Sequence, residues 1–446
     1  MKYFKWQGIY KLLPALFFIS ALILNFKAFY PGAMTWDSLE QLRQARLGEY
    51  ADWHPPMMAF LWHFFLELND GPGLMLLFHM TMLMLASIFF YSWSVRNKHR
   101  WSFLFLSIPF LPWILNFEFV IWKDVGLAYS WALAVAMAIF FKSKNKFPIP
   151  AAIAIFSLFL YGFLIRANSI SGGIFLLPFL ASCVFKKKSK RFFLLCSLFS
   201  LMIFLAAPKA MDTLLNPEKT HPFSYLMFDD LAALKLREKD IKINLFKEED
   251  IATLHSCEFI RQHKVGAPFC INERFEEIRK YRYSELTTAW LAAISENPGE
   301  YLSYRLEAFA HLVRLPNEMP YLPSEFTIVD TPYEFNSPTK EHSIIAKGVI
   351  KFVDVSIKIL PIIYKPHFWI LLSIFLFFGF VLRKNVWWVA PWPLLPLSGL
   401  TYILAYLPAT PADDFRYIYY SCLICTISAI IYVNIAHTKD CNDNGV

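Results

Sequence analysis

The run GLMLLFHMTMLMLASIFFYSWS, residues 73–94, contains no charged side chain. A helix crosses the hydrocarbon core of a bilayer with about 20 mostly apolar residues, so this run predicts a transmembrane helix. A basic cluster at Arg96, Lys98 and Arg100 follows it directly. Basic residues collect in this way at the cytoplasmic end of a span.

Similar apolar runs recur along the chain. Together they predict an all-α polytopic membrane protein with about ten transmembrane helices. The first run follows basic residues but lacks a small-residue cleavage site, so we expect an uncleaved signal-anchor. The predicted spans are 9–29, 73–94, 102–119, 124–141, 149–165, 170–185, 191–207, 367–382, 386–407 and 414–436.

The composition excludes several classes of protein. Of the 446 residues, 57% are hydrophobic and 17% are charged, and the mean hydropathy is +0.40. Soluble domains carry roughly 25% charged residues, and disordered chains are far less apolar. The 7 cysteines are too few for a disulfide-dense secreted scaffold. The net charge of +8 does not indicate nucleic acid, because the basic residues lie where membrane topology needs them.

The basic clusters also predict the orientation of the chain. With the N-terminus in the cytoplasm, every cluster falls on the cytoplasmic side. This requires that residues 346–366 do not cross the membrane. Lys347, Lys351 and Asp354 interrupt that stretch, which predicts an amphipathic helix at the interface; if it does cross, the last three spans are inverted. The clusters are Lys2/Lys5/Lys11, Arg96/Lys98/Arg100, Lys142/Lys144/Lys146, Lys186/Lys187/Lys188/Lys190/Arg191 and Arg383/Lys384.

These spans divide the chain into five parts. Within the long polar part, the acids at 248–250 predict the start of a helix. Asn297-Pro298-Gly299 predict a break before another helix. The apolar face predicted for that second helix contains Leu302, Leu306, Phe309 and Leu312. The five parts are an N-terminal transmembrane module at 1–207 with a first outer loop at 30–72, an extracytoplasmic helical domain at 208–345, the interfacial helix at 346–366, a C-terminal transmembrane module at 367–436 and a cytoplasmic tail at 437–446.

Two cysteines, Cys257 and Cys270, lie in the predicted extracytoplasmic domain. An oxidising compartment favours disulfides, so we predict that they pair; the alternative is two free thiols. The remaining cysteines are expected to be buried or inert, and no pair of CxxC motifs indicates a zinc site. These remaining cysteines are Cys183, Cys196, Cys422, Cys425 and Cys441.

The first outer loop is richest in candidate functional residues. Asp37 starts a helical pattern, and on spacing alone a helix cap is the favoured interpretation. Asp52-Trp53-His54-Pro55-Pro56 comes before an aromatic-rich stretch, and Pro56 is expected near the first position of its helix. Without other information, His54 is a turn residue bonded to the backbone.

Three other loops fall on the same membrane face in the predicted topology. They contain Trp122-Lys123-Asp124, Arg166-Ala167-Asn168 and the segment 408–417, which includes Asp413, Asp414, Arg416 and Tyr417. Ionisable groups at membrane depth are expensive and usually mark a functional cavity. Cations there can bind a phosphate, and a carboxylate can remove a proton.

The motif Asp37-SLEQLRQARLGEY-Ala51-Asp52-Trp53-His54-Pro55-Pro56 resembles the first outer loop of membrane glycosyltransferases of the GT-C fold. The most similar branches are related to protein mannosyltransferases and to aminoarabinose transferases of lipid A. The resemblance is looser at residues 122–124 and 414–417. Many members have two consecutive acids at the first motif, whereas here Ser38 follows Asp37.

The resemblance implies an integral membrane enzyme that transfers a sugar from a polyprenyl-phosphate donor to an extracytoplasmic lipid or glycan, with inversion at the anomeric carbon. It implies a catalytic first outer loop, a bacterial inner (plasma) membrane location and an active site on the outer face. Asp37 would be the general base, and Asp124 would position the acceptor or hold a divalent ion. No cofactor is certain, and a divalent metal is the one candidate. The donor phosphate would contact His54, Lys123, Arg166 and Arg416, and the residues expected to position substrate are Trp36, Asp52, Trp53, Asp414 and Tyr417.

Two other functions remain open from the sequence. A flippase of lipid-linked glycans usually has ionisable or helix-breaking residues near mid-membrane, often with internal repeats. Here the polar residues gather at one membrane face and no repeat is evident. An O-antigen polymerase or ligase also has many spans and a large outer loop, but the early Asp37 to Pro56 motif favours the transferase. The remaining alternative is a membrane protein whose polar loop residues are only anchors and caps.

Overall fold

The structure is a computed structural model that describes residues 9–143, 147–186, 189–237, 243–315, 318–321, 344–383 and 391–443. These residues form α-helices and short 3-10 turns, with two isolated β-bridges and no β-strand among them. The helices are α1 (Ile9–Phe29), α2 (Trp36–Leu47), α3 (Met57–Leu68), α4 (Gly73–Arg96), α5 (Leu104–Ser107), α6 (Pro112–Glu118), α7 (Lys123–Lys142), α8 (Ile149–Leu164), α9 (Ile170–Phe185), α10 (Lys190–Leu215), α11 (Phe223–Arg237), α12 (Glu248–Ser256), α13 (Glu258–His263), α14 (Ala267–Cys270), α15 (Asn272–Tyr281), α16 (Tyr283–Glu296), α17 (Pro298–Leu312), α18 (Ile344–Ile359), α19 (Pro366–Leu382), α20 (Leu394–Leu404) and α21 (Tyr419–Asp443).

Five helical segments of the described chain are long and apolar enough to cross a membrane. They are Gly73–Arg96, Lys123–Lys142, Ala167–Phe185, Lys190–Leu215 and Phe415–Ala436. Each of them contains one of the predicted spans or most of it. Five further apolar helices are shorter, at Leu16–Phe29, Met57–Leu68, Ile149–Leu164, Pro366–Leu382 and Leu394–Leu404.

The helix α7 is the centre of the apolar bundle. It packs against α4, α8, α9 and α21 and is buried along nearly its whole length. Small residues in its sequence, including Gly126, Ala128 and Ala132, let neighbouring helices approach closely. Because Lys123 and Asp124 are its first two residues, the most enclosed helix begins with two charges.

The outermost helices expose large apolar side chains. On α10, for example, Leu195 is 64% exposed and Met202 is 63% exposed. Apolar faces of this size on a folded chain require an apolar environment, as lipid would provide. Similar exposed rows lie on α1 and α19.

Helices α11–α16 and much of α17 form a separate polar unit, which we call the outer domain after its predicted location. It has its own apolar core around Phe228, Leu231 and Phe275. Cys257 and Cys270 form a disulfide within it, which is the pairing predicted from the sequence. Of the other cysteines whose side chains are described, Cys183, Cys196, Cys422 and Cys425 are free.

Two predicted spans are not long helices. The segment 102–119 contains the short α5, a 3-10 turn and α6, because Pro109 and Pro112 interrupt the helical hydrogen bonds. The segment 386–407 forms only the 11-residue α20 in its described part, which starts after Pro391 and Pro393. Residues 384–390 lie outside the described residues.

Two predicted boundaries also differ. The helix α10 passes through Pro208 and ends at Leu215, so the N-terminal module does not end at 207. The helix α21 continues to Asp443, where a tail had been predicted from 437. The interfacial segment is helical as α18 over Ile344–Ile359, whereas 322–343 of the predicted outer domain lie outside the described residues.

The helix starts predicted in the outer domain are confirmed. The helix α12 begins at Glu248 and α17 begins at Pro298. The apolar face predicted for α17 is only half right, because Leu302 and Leu306 are exposed. The buried face of α17 instead includes the polar residues Tyr304, Arg305 and His311.

At Gly162 the helix α8 packs closely against α7. A Cβ added at Gly162 would lie 2.5 Å from Nε1 of Trp131, and that ring is fully buried with Nε1 donating to the carbonyl of Phe159. We expect Gly162→Ala to lower the free energy of unfolding by about 1–3 kcal/mol, because an overpacked core must shift. Thermal unfolding in detergent would measure this as a lower Tm.

The matched control is Gly348→Ala on α18. Gly348 is exposed, and a Cβ there meets nothing within 4 Å. Replacing glycine in a helix stabilises it by up to about 1 kcal/mol, so its Tm should rise slightly or stay unchanged. Equal Tm values for the two variants would contradict the close packing of α8 on α7.

Candidate functional site

Backbone pairing holds the start of the predicted first outer loop against the residues that precede α7. The N–H of Ala33 donates to the carbonyl of Phe119 (2.8 Å), and the N–H of Ile121 donates to the carbonyl of Ala33 (2.9 Å). Gly32 adopts a positive φ of 108° just before this pairing, and a Cβ there would lie 2.7 Å from Ile121. The pairing brings the start of α2 next to the start of α7.

Side chains strengthen the same junction. Trp122 donates from Nε1 to Oγ1 of Thr35 (2.9 Å), and Ser38 donates from Oγ to the carbonyl of Ile121 (2.6 Å). Thr35 is the residue that precedes α2. Asp37 therefore lies within the first turn of α2 rather than at its cap, which corrects the capping interpretation and leaves its carboxylate free to bind other side chains.

The Asp37 carboxylate binds residues from two distant parts of the chain. Arg416 donates from Nη1 to its Oδ2 (2.8 Å), and Nε2 of His54 lies 3.5 Å from its Oδ1. The Nδ1 of His54 in turn contacts the ammonium group of Lys123. His54 is thus a bridge between Asp37 and Lys123, and not a turn residue bonded to the backbone.

The surrounding charges shift the pKa values of Asp37 and His54. Burial raises the pKa of the Asp37 carboxyl, but Arg416, the hydrogen bond to His54 and the charge of Lys123 outweigh it and hold that pKa well below its usual range. Burial and the nearby Lys123 lower the pKa of His54 despite its contact with Asp37. At neutral pH the site therefore holds an ionised carboxylate beside a neutral imidazole.

Arg166 is positioned by a second carboxylate and by aromatic rings. Its Nη2 lies 3.2 Å from Oδ1 of Asp124 and donates to the hydroxyl of Tyr406 (2.8 Å). The Tyr417 ring lies 5.3 Å from the guanidinium of Arg166 and 5.2 Å from that of Arg416. Tyr417 therefore lies between the two arginines, and the ring contacts hold both guanidinium groups in place.

These groups surround a cavity of about 460 Å³, which we call the polar cavity. Its base contains one carboxylate, three cations and an imidazole, and the start of α7 adds the partial positive charge of a helix N-terminus. The wall on the side of the outer domain is aromatic and uncharged at Phe223, Tyr225 and Phe269. Among the lining residues named in the sequence prediction are Asp37, Trp53, His54, Lys123, Arg166, Arg416 and Tyr417.

A second cavity of about 270 Å³ adjoins the first, and we call it the apolar cavity. Arg166 and Ala167 line both cavities. The other walls of the apolar cavity are largely carbon, from the end of α8, from α10 and from the two prolines before α3. They include Pro55, Pro56, Phe163, Leu164, Phe204, Pro208 and Met211.

Four of the predicted site residues are not among those that line the polar cavity. Trp36 is 68% exposed, and Asp124 lies behind Arg166 with its side chain 1% exposed. Asp52 accepts hydrogen bonds from the backbone N–H and the hydroxyl of Thr220 and lines the apolar cavity. Asp414 accepts from the backbone N–H of Arg416.

Sequence reasoning missed the aromatic wall of the outer domain and the partner of Arg166. Phe223, Tyr225 and Phe269 lie far from the motif in sequence, and no local pattern distinguishes them from core residues. Tyr406 is two residues before the predicted loop 408–417. The position of Tyr406 close to this arginine-containing loop is the one sequence feature that indicates a role for it in the site.

Among the residues that the structure describes, no group of three or more His, Cys, Asp or Glu side chains is arranged to hold a metal ion. Asp37 and Asp124 are each paired with an arginine instead. Comparisons of the chain with protein-family models, with curated proteins and with solved structures find no match. The similarity to the GT-C fold therefore stays a prediction.

The clustered cations predict affinity for a lipid phosphate. We expect farnesyl phosphate to raise the Tm of the purified protein, since a ligand that binds only the folded state stabilises it by about 2.7 kcal/mol at 100 times its Kd. Arg416→Gln and Lys123→Met should each weaken this binding by roughly 10- to 100-fold, because a hydrogen bond to a charged group contributes about 1.5–3 kcal/mol.

The control for this experiment is Arg282→Gln. Arg282 pairs with Glu285 on the surface of the outer domain, so its removal should leave the Tm shift unchanged. Equal losses in all three variants, or no shift with the wild type, would show that the cavity is not a phosphate site.

Proposed function

We propose that this protein is an integral membrane glycosyltransferase that transfers a sugar from a polyprenyl-phosphate donor to an extracytoplasmic lipid or glycan. The main observation behind the proposal is that the Asp37 carboxylate, Lys123, Arg166 and Arg416 line the polar cavity, which adjoins the apolar cavity. A carboxylate, several cations and an apolar cavity are what such a transfer needs. The resemblance of the first outer loop to GT-C enzymes supports the same function.

In the proposed reaction, the acceptor hydroxyl oxygen attacks the anomeric carbon of the donor sugar. The new glycosidic bond forms as the bond from that carbon to the phosphate oxygen breaks, with inversion. The bonding electrons leave with the polyprenyl phosphate, and the hydroxyl proton passes to Asp37. All atoms are accounted for without an additional reactant.

The low pKa of Asp37 makes it a weak base while Arg416 is bound to it. A donor phosphate would compete for the same guanidinium and for Lys123. Loss of these two attractions would raise the pKa of the Asp37 carboxyl. Donor binding would in this way prepare the base, and Asp37 would become a stronger proton acceptor only when a donor is present.

The three cations would stabilise the leaving group. Negative charge grows on the phosphate as the bond breaks, and preorganised cations lower the barrier when they face that charge. Arg166 lines both cavities, so it is suited to the phosphate at the junction between sugar and lipid. Asp124 would act through Arg166 as a positioning residue.

The apolar cavity is the proposed position of the first prenyl units. It lies between α8 and α10, and α10 exposes apolar side chains along its outer face. A prenyl chain could leave this cavity toward lipid beside α10. The positive-inside pattern supports an orientation with both cavities on the outer face of a bacterial inner membrane.

The decisive test is transfer of labelled sugar from polyprenyl-phosphate donors by the purified protein in lipid. We expect Asp37→Asn to lower kcat by about 10²- to 10⁴-fold, the range for loss of a general base. The matched control is Asp70→Asn, since Asp70 is 73% exposed and pairs with Arg46 away from the cavity. Its activity should equal that of the wild type.

Several results would contradict the proposal. Asp37→Asn activity within a fewfold of the wild type would remove Asp37 from catalysis. Donor that crosses the bilayer with no new glycosidic bond would favour the flippase. Long labelled chains, in place of a single added sugar, would favour the polymerase.

The apolar cavity yields a separate prediction. Met211→Trp should fill part of it and raise KM for a long-chain donor by about tenfold, because roughly two methylenes at ~0.8 kcal/mol each lose their burial. The kcat should change little, and a donor with a short prenyl chain should be less affected. Met202→Trp, on the lipid-facing surface of α10, is the control. An equal KM for both variants would exclude the cavity as the prenyl site.

A further inference from the structure

Asp413 is held by three cationic or ionisable side chains of the outer domain and its junction with the membrane module. Its Oδ1 lies 2.6 Å from Nδ1 of His263, and its Oδ2 lies 2.9 Å from Nε2 of His311 and 3.4 Å from Nη2 of Arg314. The Asp413 side chain is only 6% exposed. A carboxylate this buried depends on its partners, because burial without them is strongly unfavourable.

The loop that contains Asp413 is also part of the candidate site. Ala409, Pro411 and Ala412 line the polar cavity. Three residues after Asp413, Arg416 binds the Asp37 carboxylate. Asp413 is therefore a direct physical link between the outer domain and the arginine that faces the proposed base.

A second contact supports the same link. Arg305 on α17 donates from Nη1 to the carbonyl of Thr410 (3.3 Å) and pairs with the buried Asp230 of α11 (2.6 Å). The polar residues on the buried face of α17 thus hold the loop at two positions. This explains why the buried face of α17 contains Arg305 and His311 beside the predicted Phe309 and Leu312.

We propose that Asp413 is a positioning residue through which the outer domain holds the loop 408–414 and thereby aligns Arg416 with Asp37. The effect on catalysis rests on the proposed function, whereas the structural link does not. When His263 and His311 release Asp413, the loop should loosen and Arg416 should lose its alignment. The outer domain would in this way control whether the site is assembled.

The geometry of His311 makes this link dependent on pH. Its Nδ1 lies 3.0 Å from Oε1 of Glu318 and its Nε2 lies 2.9 Å from Asp413, so both ring nitrogens face carboxylates. Only the protonated ring can donate from both nitrogens. The hydrogen bond to Asp413 raises the pKa of His311 above its ordinary value of 6.5, against the effect of burial.

The sign of the pH dependence follows from the raised pKa. The stabilisation by protonated His311 is fully present below the unfolded-state pKa and is lost as the pH rises through the higher folded-state pKa. The other titratable and charged groups around His311 and Asp413 include His263, Arg314, Glu318, Tyr321 and Asp414. Arg314 also contacts Asp413, so the link should weaken at high pH without disappearing.

Hydrogen–deuterium exchange of the full-length protein in lipid nanodiscs tests the link directly. After correction for the intrinsic pH dependence of exchange, the amides of 408–416 should be better protected at pH 6 than at pH 8.5 in the wild type. His311→Gln should abolish this difference. Asp413→Asn should exchange rapidly at both pH values, and Asp413→Glu should restore part of the protection.

Transfer activity is the second readout. Asp413→Asn should lower kcat by about 10- to 100-fold, the effect expected when a catalytic group is misplaced by about 1 Å. KM for the donor should change much less. The control is His255→Gln, an exposed histidine of the same domain on α12, which should match the wild type in both assays.

The two readouts separate the possible failures. Unchanged protection of 408–416 in Asp413→Asn, or an equal pH response in His311→Gln and the wild type, would overturn the link. If the wild type transfers no sugar at any pH while the exchange differences are present, the proposed function fails and the link stands. If Asp413→Asn does not fold, the comparison of the wild type with His311→Gln decides the matter.

Discussion

The enclosure of α7 is the constraint on which the rest of the site depends. This helix is buried by its neighbours along nearly its whole length, yet it begins with Lys123 and Asp124. Charges at the end of an enclosed helix must find partners of opposite sign or a polar cavity. The predicted first outer loop supplies His54, which contacts Lys123, and Asp37, which contacts His54. The turn after α8 supplies Arg166, which pairs with Asp124. Arg416 completes the group by pairing with Asp37.

The residues that line the polar cavity have an excess of positive charge, which favours an anionic ligand. Three cations face the cavity, and Asp37 is the one carboxylate among the residues that line it. Asp124 is present but lies behind Arg166, where it orients the guanidinium. An entering phosphate would therefore compete with Asp37 for Arg416, whereas Asp124 would continue to hold Arg166 in place. Binding and activation of the base would then be the same event.

The outer domain contributes to this site more directly than its separate core would suggest. Its aromatic residues line one wall of the polar cavity, and its histidines hold the loop that precedes Arg416. The Cys257–Cys270 disulfide closes the segment that contains both His263 and Phe269. The cross-link restricts the conformations of a segment that contacts the site twice.

Local sequence patterns are enough to predict the helical class, the long apolar helices, and the charged residues and histidine that line the polar cavity. These follow from local signals, because the length and hydropathy of a run decide whether it can cross a bilayer, and ionisable residues beside such runs usually mark a functional cavity. The sequence prediction was wrong at 102–119, where prolines interrupt an apolar run, and half right on α17, whose buried face contains Arg305 and His311 as well as Phe309 and Leu312. Three contacts are visible in the folded protein and in no local sequence pattern: Asp37 binds Arg416, Asp124 lies behind Arg166, and Asp413 joins the outer domain to the site. The reason is physical: each contact joins residues far apart in the chain, and the energy of an ion pair depends on distance and burial, which no local pattern encodes.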